Sequence, residues 1–458
     1  MAKVKTMYFC KNCGAESPKW IGKCPACGEW NTYIEEPVAT KTNKSVYGAD
    51  ESGHKSVVPV KISQVKAEEM PRIKLPSAEL DRVLGGGLVP GSIVLIGGEP
   101  GIGKSTLVLQ NVLRIRSRKV LYISGEESAQ QIRMRADRIA GSEMECECYV
   151  ICETSLDTIF ASIKENKPDL IIVDSIQTIA SDELESAAGS VSQVRECAAA
   201  FLRYAKETNT PVILIGHINK EGSIAGPKVL EHIVDAVLQF EGDRNYMYRI
   251  LRSIKNRFGS TNEIGIYEMT ETGLREVTNP SEMLLSENDE NLSGVAIGVT
   301  LEGIRPFLIE AQALVSTAAY GTAQRSVTGF DPRRMNMLLA VLEKRVGFKL
   351  AQKDVFLNIA GGLKVNDPAL DLSVICAILS SNVDMPIKRR ICMSGEVGLS
   401  GEIRQITRIE QRIGEVEKLG FESMIIPKNN LKGIKTNKLK LKLIEVGKVE
   451  EAFRYLFG

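Results

Sequence analysis

No apolar run in the 458 residues approaches the ~18 that a membrane-spanning helix needs, and no signal-peptide core opens the chain. The expectation is a cytoplasmic protein with no membrane partner. Neither sign of charge is in excess: 58 Lys and Arg against 57 Asp and Glu leave a net charge of +1. No global field draws the molecule to nucleic acid, so any such affinity has to come from local patches. There is no internal repeat. A secreted-type disulfide framework is missing too. Four of the ten cysteines form one spaced cluster, and Cys146, Cys148, Cys152, Cys197, Cys376 and Cys392 are scattered. What remains is an ordinary soluble composition over a length that two or three domains fill.

Against that background Gly97 to Thr106 stands out, reading Gly-Gly-Glu-Pro-Gly-Ile-Gly-Lys-Ser-Thr. Gly98 to Ser105 fits G-x-x-x-x-G-K-S, the pattern of a phosphate-binding loop. The apolar run from Ile93 to Ile96 precedes it and helix formers from Leu107 to Gln110 follow, the strand–loop–helix setting the motif requires. Gly98, Gly101 and Gly103 let the backbone curl with its N–H groups inward, and the new helix adds the positive end of its dipole. Gly98, Glu99, Pro100, Gly101, Ile102, Gly103, Lys104, Ser105 and Thr106 are therefore expected to hold ATP or ADP. Lys104 would reach the β- and γ-phosphates, and the Ser105 hydroxyl would take a place on Mg²⁺.

Near the N-terminus, Cys10-x-x-Cys13 and Cys24-x-x-Cys27 are two knuckles, each followed by a glycine. A two-residue spacer lets both thiolates face one ion, and four thiolates select Zn²⁺ in a closed, structural site. A module of about 30 residues is too small to fold on an apolar core alone, so the metal must supply stability. Trp20 and Trp30, the chain's two tryptophans, are expected to pack over it. Its lysines (Lys3, Lys5, Lys11, Lys19, Lys23) outnumber Glu16 and Glu29 and are open to phosphates, a partner protein or solvent alone. A flexible linker is expected over 35–67.

Ser77 to Leu84 reads as a short helix with Ser77 as N-cap, stopped by Gly85, Gly86 and Gly87. A strand over 119–124 ends in Gly125-Glu126-Glu127-Ser128. Leu170 to Asp174 is a buried strand with an acid at its C-terminal edge, the Walker B pattern, and Asp174 is expected to hold Mg²⁺ through water. A further strand over 212–215 ends at Gly216-His217. Strands alternating with helices predict an α/β fold whose mostly parallel sheet binds its ligand at the strand C-termini. Ser175, not a second acid, follows Asp174, so the carboxylate that polarises water has to come from another strand. Glu126 is the expected base, with Glu127 orienting or substituting for it. His217 ends its strand opposite the phosphates, at a position that resembles the polar-sensor position of RecA-class proteins.

A base on the neighbouring strand resembles the RecA arrangement and differs from the paired acids of AAA+ enzymes. Leu80-Asp81-x-x-Leu84-Gly-Gly-Gly-Leu88-x-Pro90-Gly91 also resembles the lead-in of RecA- and KaiC-like proteins. In RecA-type rings and filaments, loops at 181–195 and 219–228 would grip single-stranded DNA, with Lys220 and Lys228 as phosphate contacts. Lys255-Asn256-Arg257-Phe258-Gly259, after a strand expected over 246–253, is similar to the signature of the bacterial RadA (Sms) family. So is Gly216-His217-Ile218-Asn219-Lys220-Glu221-Gly222, and the Cys₄ cluster agrees. The resemblance covers essentially the whole chain. It implies a homo-oligomeric, hexameric ATP hydrolase with helicase-like action that binds single-stranded and branched DNA. Such a motor drives branch migration in recombinational DNA repair beside the RecA recombinase. Lys255 and Arg257 look like the Lys-x-Arg pair that reaches a neighbouring subunit's triphosphate in DnaB-type rings.

The resemblance divides the chain into a Cys₄ zinc finger over 1–34, a linker over 35–67, a RecA-like ATPase domain over 68–280, a linker over 281–293 and a Lon-protease-like domain over 294–458. Phe356 to Gly362 and Ser394 to Ile403 carry the likeness to Lon. The Ser–Lys dyad does not follow: Leu370 aligns with the nucleophile and Glu410 with the lysine, and a one-residue slip brings in Asp371 but no Ser–Lys pair. An aliphatic side chain cannot attack a carbonyl. The domain is expected to be a proteolytically inactive scaffold, with Arg305, Arg325, Arg333, Arg334 and Lys344 as candidate DNA contacts. A divergent ATP-dependent protease and a KaiC-like signalling ATPase are the competing readings.

Overall fold

A computed structural model describes residues 5–11, 14–38, 61, 71–140, 146–217, 227–242, 248–285, 292–318, 323–362, 364–432 and 439–458. The chain forms two compact units, Met1–Glu276 and Val277–Gly458.

The N-terminal finger is a three-stranded antiparallel sheet of β1 (Lys5–Cys10), β2 (Glu16–Ser17) and β3 (Tyr33–Val38), in the order β2-β1-β3. Gly14 and Gly28 turn the two knuckles at φ 70° and 78°, a conformation that glycine adopts without strain. Cys10, Cys24 and Tyr33 form the small core, with Tyr8, Ala15, Ile21 and Cys27 packed against it. The expected tryptophan cover is not there. Trp20 and Trp30 are 53% and 67% exposed, because the sulfurs and Tyr33 already fill the interior.

The ATPase region begins with α1 (Ala78–Val83), whose N-cap Ser77 accepts a hydrogen bond from the Leu80 N–H. It then alternates β4 (Ile93–Gly98), α2 (Lys104–Val112), β5 (Lys119–Ser124), α3 (Ala129–Ala140), β6 (Glu147–Cys152), α4 (Leu156–Asn166) and β7 (Leu170–Asp174). After these come α5 (Val191–Thr208), β8 (Val212–His217), α6 (Pro227–Ile233), β9 (Ala236–Glu241), β10 (Tyr248–Asn256), β11 (Ile264–Thr270) and β12 (Gly273–Glu276). The sheet order is β12-β11-β10-β9-β4-β8-β7-β5-β6. Strands β9 to β6 of that order are parallel and β10 to β12 are antiparallel.

Both faces of this sheet are buried, and the period-2 alternation of a strand divides each apolar run between two cores. Val94, Ile96, Tyr122, Ile172, Ile213 and Ile215 face one; Ile93, Leu95, Leu121, Ile123, Ile171, Val173, Val212 and Leu214 face the other. Strand β10 runs three residues past the expected end at Ser253. A bulge between Ser253 and Lys255 carries Lys255 and Asn256 onto the strand, against Val237 and Ala236.

In the second unit, β13 (Val295–Glu302), β14 (Arg305–Thr317), β15 (Arg325–Thr328), β16 (Lys353–Ile359) and β17 (Ile391–Met393) belong to a seven-stranded sheet. A short hairpin of β18 (Glu396–Val397) and β19 (Ile403–Arg404) follows, and β20 (Ser423–Pro427) and β21 (Lys442–Val446) complete the sheet in the order β15-β16-β14-β13-β17-β20-β21. The helix Asp371–Val383 is buried along its first ten residues, from Asp371 to Ser380. The helix Pro332–Val341 continues as a π-helical turn to Val346. The unit also starts before Gly294. The helix Pro280–Leu284 belongs to it, because fully buried Ser281 accepts the Leu308 N–H of β14 at 3.0 Å.

Candidate nucleotide site and its neighbours

The ends of four adjacent parallel strands converge. Gly98 on β4 is level with His217 on β8; Asp174 on β7 is level with Ile215 on β8 and Ser124 on β5. The loop from Gly98 into α2 closes over this edge. Gly101 and Gly103 stand at φ 79° and 112°, and a Cβ on Gly98 would lie 2.7 Å from the Phe240 carbonyl oxygen. Only glycine fits there. Ser105 and Thr106 sit in the first turn of α2, where backbone N–H groups have no intrahelical acceptor.

Lys104 is 4% exposed. Its ammonium donates to the carbonyls of Gly98 (2.8 Å) and Glu99 (2.9 Å) and to Nδ1 of His217 (3.2 Å). Since the ammonium can only donate, Nδ1 accepts and Nε2 carries the ring hydrogen. Nε2 lies 3.1 Å from Oε1 of Glu126, which also accepts from the Ser175 hydroxyl at 2.6 Å. His217 thus bridges the loop lysine to the acid beyond β5. Burial pulls the Lys104 amine down to about 8, against the opposing charges of Asp174 and Glu126. For Glu126, burial pushes the carboxyl up. Hydrogen bonds from Ser175 and His217 and the charge of Lys104 outweigh it, leaving the pKa below its ordinary value.

Glu127 has a different setting. Its carboxylate pairs with Arg135 of α3, and its N–H is held by the Ser124 hydroxyl, so it turns away from His217 and Ser175. Asp174, 7% exposed, accepts the Tyr122 hydroxyl on Oδ2 at 2.5 Å. Lys104, Glu126, Asp174 and His217 therefore lie together. Tyr122 and Ser175 are partners that sequence reading does not reveal. Their only signal is register: Ser124 is level with Asp174, which places Tyr122 two residues back on the neighbouring strand.

Lys255 and Arg257 sit at the other end of the sheet. Arg257 N–H donates to the Asp235 carbonyl and Asp235 N–H to Ile93, the first residue of β4. From Ile93 to Gly98 is a strand length of about 16 Å at ~3.3 Å per residue. Lys255 donates to the carbonyls of Glu231 (2.5 Å) and Val234 (2.9 Å). Arg257, its side chain 53% exposed, pairs with buried Asp235 at 3.2 Å, and Lys206 shares that carboxylate at 2.8 Å.

In the finger, the thiols of Cys10, Cys24 and Cys27 lie within 4.8 Å of one another, and Cys10 and Cys27 are 3.7 Å apart. Two sulfurs on tetrahedral Zn²⁺, with bonds of ~2.3 Å, stand about 3.8 Å apart, so this donor set fits zinc. Cys13 lies outside the described residues.

Of the candidate DNA contacts, Lys220 lies outside the described residues, as does the side chain of Lys228 on α6. Arg305 donates to the Val277 and Thr278 carbonyls, and Arg325 to Asn336. Arg334 grips fully buried Asp371 with two bonds of 2.6 Å, while Arg333 and Lys344 are exposed. Leu370 is fully buried and Glu410 is exposed. No helix among the described residues is long and apolar enough to cross a membrane.

Three families match parts of the chain. Residues 8–35 match a rubredoxin metal-binding domain family, 59–223 an AAA domain family, and 311–430 the family of subunit ChlI of Mg-chelatase. A KaiC-like protein of Pyrococcus horikoshii aligns with 45% of this chain and 99% of its own, at a TM-score of 0.38 and 21% identity. The DNA repair protein RadA of Bacillus subtilis is 49% identical over 460 residues, covering 100% of both chains. That of Listeria monocytogenes is 50% identical over 436 residues, 94% of each. At that identity along its full length, the chain belongs to the RadA family of DNA repair proteins.

Proposed function

We propose that the chain is an ATP-hydrolysing DNA motor of recombinational repair, acting on single-stranded and branched DNA as a homo-oligomeric ring, a hexamer by analogy with ring helicases. The observation that carries this is the Lys104–His217–Glu126–Ser175 chain at the converging strand ends, beside Asp174. It puts a buried cation, an ionised carboxylate and a second acid around one anion-binding helix N-terminus. Residues 98–106 would bind the triphosphate, with Lys104 leaving its carbonyl acceptors for the phosphates. Ser105 and Asp174 would hold Mg²⁺, which supplies charge neutralisation on the phosphate oxygens. Glu126 is the base that takes a proton from the attacking water. Lys255 and Arg257, too far from their own loop, would complete the loop of the next subunit.

Family membership supports the repair role, and a place beside the RecA recombinase is proposed with it. Buried Leu370 and exposed Glu410 support a C-terminal unit that serves as scaffold, without peptidase chemistry. The test is the ATPase rate with and without single-stranded DNA, beside extension of RecA-made strand-exchange intermediates. Stimulation by DNA, lost in Lys104→Ala, is expected. DNA-independent turnover, or full stimulation in Lys104→Ala, refutes the reading.

A further inference from the structure

The two exposed tryptophans of the finger are its largest apolar groups, yet its interior is built from smaller ones. Both indoles flank Gly22: a Cβ there would stand 3.8 Å from the Trp20 ring and 3.8 Å from the Trp30 ring. The second knuckle holds them in place. Lys23 and Trp30 form a β-bridge, the Asn31 N–H donates to the Gly22 carbonyl at 2.7 Å, and the Cys24 N–H donates to Glu29 at 2.8 Å. The Lys23 ammonium sits 5.5 Å from the centre of the Trp30 ring. Lys19 is exposed next to Trp20 in the chain.

We propose that Trp20, Trp30 and Lys23 form a stacking platform for unpaired bases of single-stranded nucleic acid. Flat ring faces beside ammonium groups match the bases and phosphates of one strand. A buried protein-protein anchor would instead want an apolar surround, and Trp20 and Trp30 are the only exposed large apolar side chains among the described residues of the finger. The platform adds a second strand contact to the proposed motor and rests on its DNA-binding reading, but not on any residue of the ATPase site.

These are the chain's two tryptophans, so indole emission reports on the finger alone. In the full-length, zinc-loaded protein, an oligo-dT strand is expected to quench that emission and shield it from acrylamide, whereas a duplex of equal length is not. Trp20→Ala or Trp30→Ala should weaken oligo-dT binding about tenfold in fluorescence anisotropy. Trp30→Phe should restore most of it, and zinc content and basal ATPase rate should stay unchanged. Saturable oligo-dT binding with unaltered emission would overturn the platform and leave the motor standing. No DNA binding at all would overturn both. Emission that responds to RecA protein but not to oligo-dT would reassign the rings to a protein partner and also overturn it.

Discussion

The Tyr122 hydroxyl of β5 donates to Oδ2 of Asp174 at the end of β7, 2.5 Å away and across one strand boundary. Tyr122 is fully buried, and burial together with the Asp174 charge holds its pKa well above 10, so it donates at every working pH. The bond orients a carboxylate that is expected to face Mg²⁺. Tyr122→Phe should raise the Mg²⁺ concentration needed for half-maximal turnover several-fold, with a stability loss of about 1 kcal/mol. A magnesium titration of ATPase rate beside a denaturant melt checks both. An unchanged Mg²⁺ requirement would make the bond merely structural.

Lys104 gives a pH dependence with two opposite signs. Its amine, lowered from 10.5 to about 8 by burial, is half neutral near pH 8 in the nucleotide-free protein, and a bound triphosphate favours the ammonium. ATP binding above about pH 8 should therefore take up a proton, and affinity should fall as pH rises. Between about pH 8 and 10.5 the unfolded chain binds more protons at this residue, so the free fold gains stability there as pH rises. Calorimetry in two buffers of different ionisation enthalpy measures the uptake, and Lys104→Arg should abolish it.

Glu126 and Glu127 separate by their partners. Glu126→Gln should cut turnover by about 10²-fold or more while ATP still binds. Glu127→Gln, which loosens only the half-buried Arg135 pair, should cost less than tenfold. Single-turnover hydrolysis beside nucleotide binding distinguishes them, and the reverse ranking would exchange the two roles.

Arg257→Ala and Lys104→Ala variants should each be inactive alone and recover partial ATPase activity when mixed. A junction pairing the intact loop of one with the intact Arg257 of the other is complete. Lys206 keeps Asp235 paired in the Arg257 variant, so the fold should hold. Mixing without recovery would place Arg257 outside the neighbour's site.

Arg334 and Arg333 are adjacent but face different tasks. Arg334→Ala strands a fully buried carboxylate and should cost about 3 kcal/mol of stability in the second unit. Arg333→Ala should leave the melt unchanged, and any lowered DNA affinity would come from that exposed guanidinium. Thermal unfolding and DNA anisotropy on the same preparations settle both.

The sheet and the ring of strand ends were legible because their signals are local. The glycines of the loop, the apolar runs and the acid closing β7 are each read within a few residues. Tyr122, Ser175 and Arg135 were not, since their roles arise from side chains meeting across strands or from a following helix, which spacing along the chain does not encode. The tryptophans erred for a related reason. Aromatic residues in a small module suggest a core, but sulfur and Tyr33 already occupied it. Arg334 is a candidate DNA contact in the sequence, and its grip on buried Asp371, 37 positions away, has no local signal there.

The separation of Gly98 from Arg257 along the sheet makes the chain directional. If Arg257 serves the neighbour's loop as proposed, one end is a socket and the other a plug, and copies would join head to tail, an assembly that either closes or grows without limit. In a closed circle every socket meets a plug. An open arc always leaves one socket idle at its end, so the proposed design links closure to one further working site.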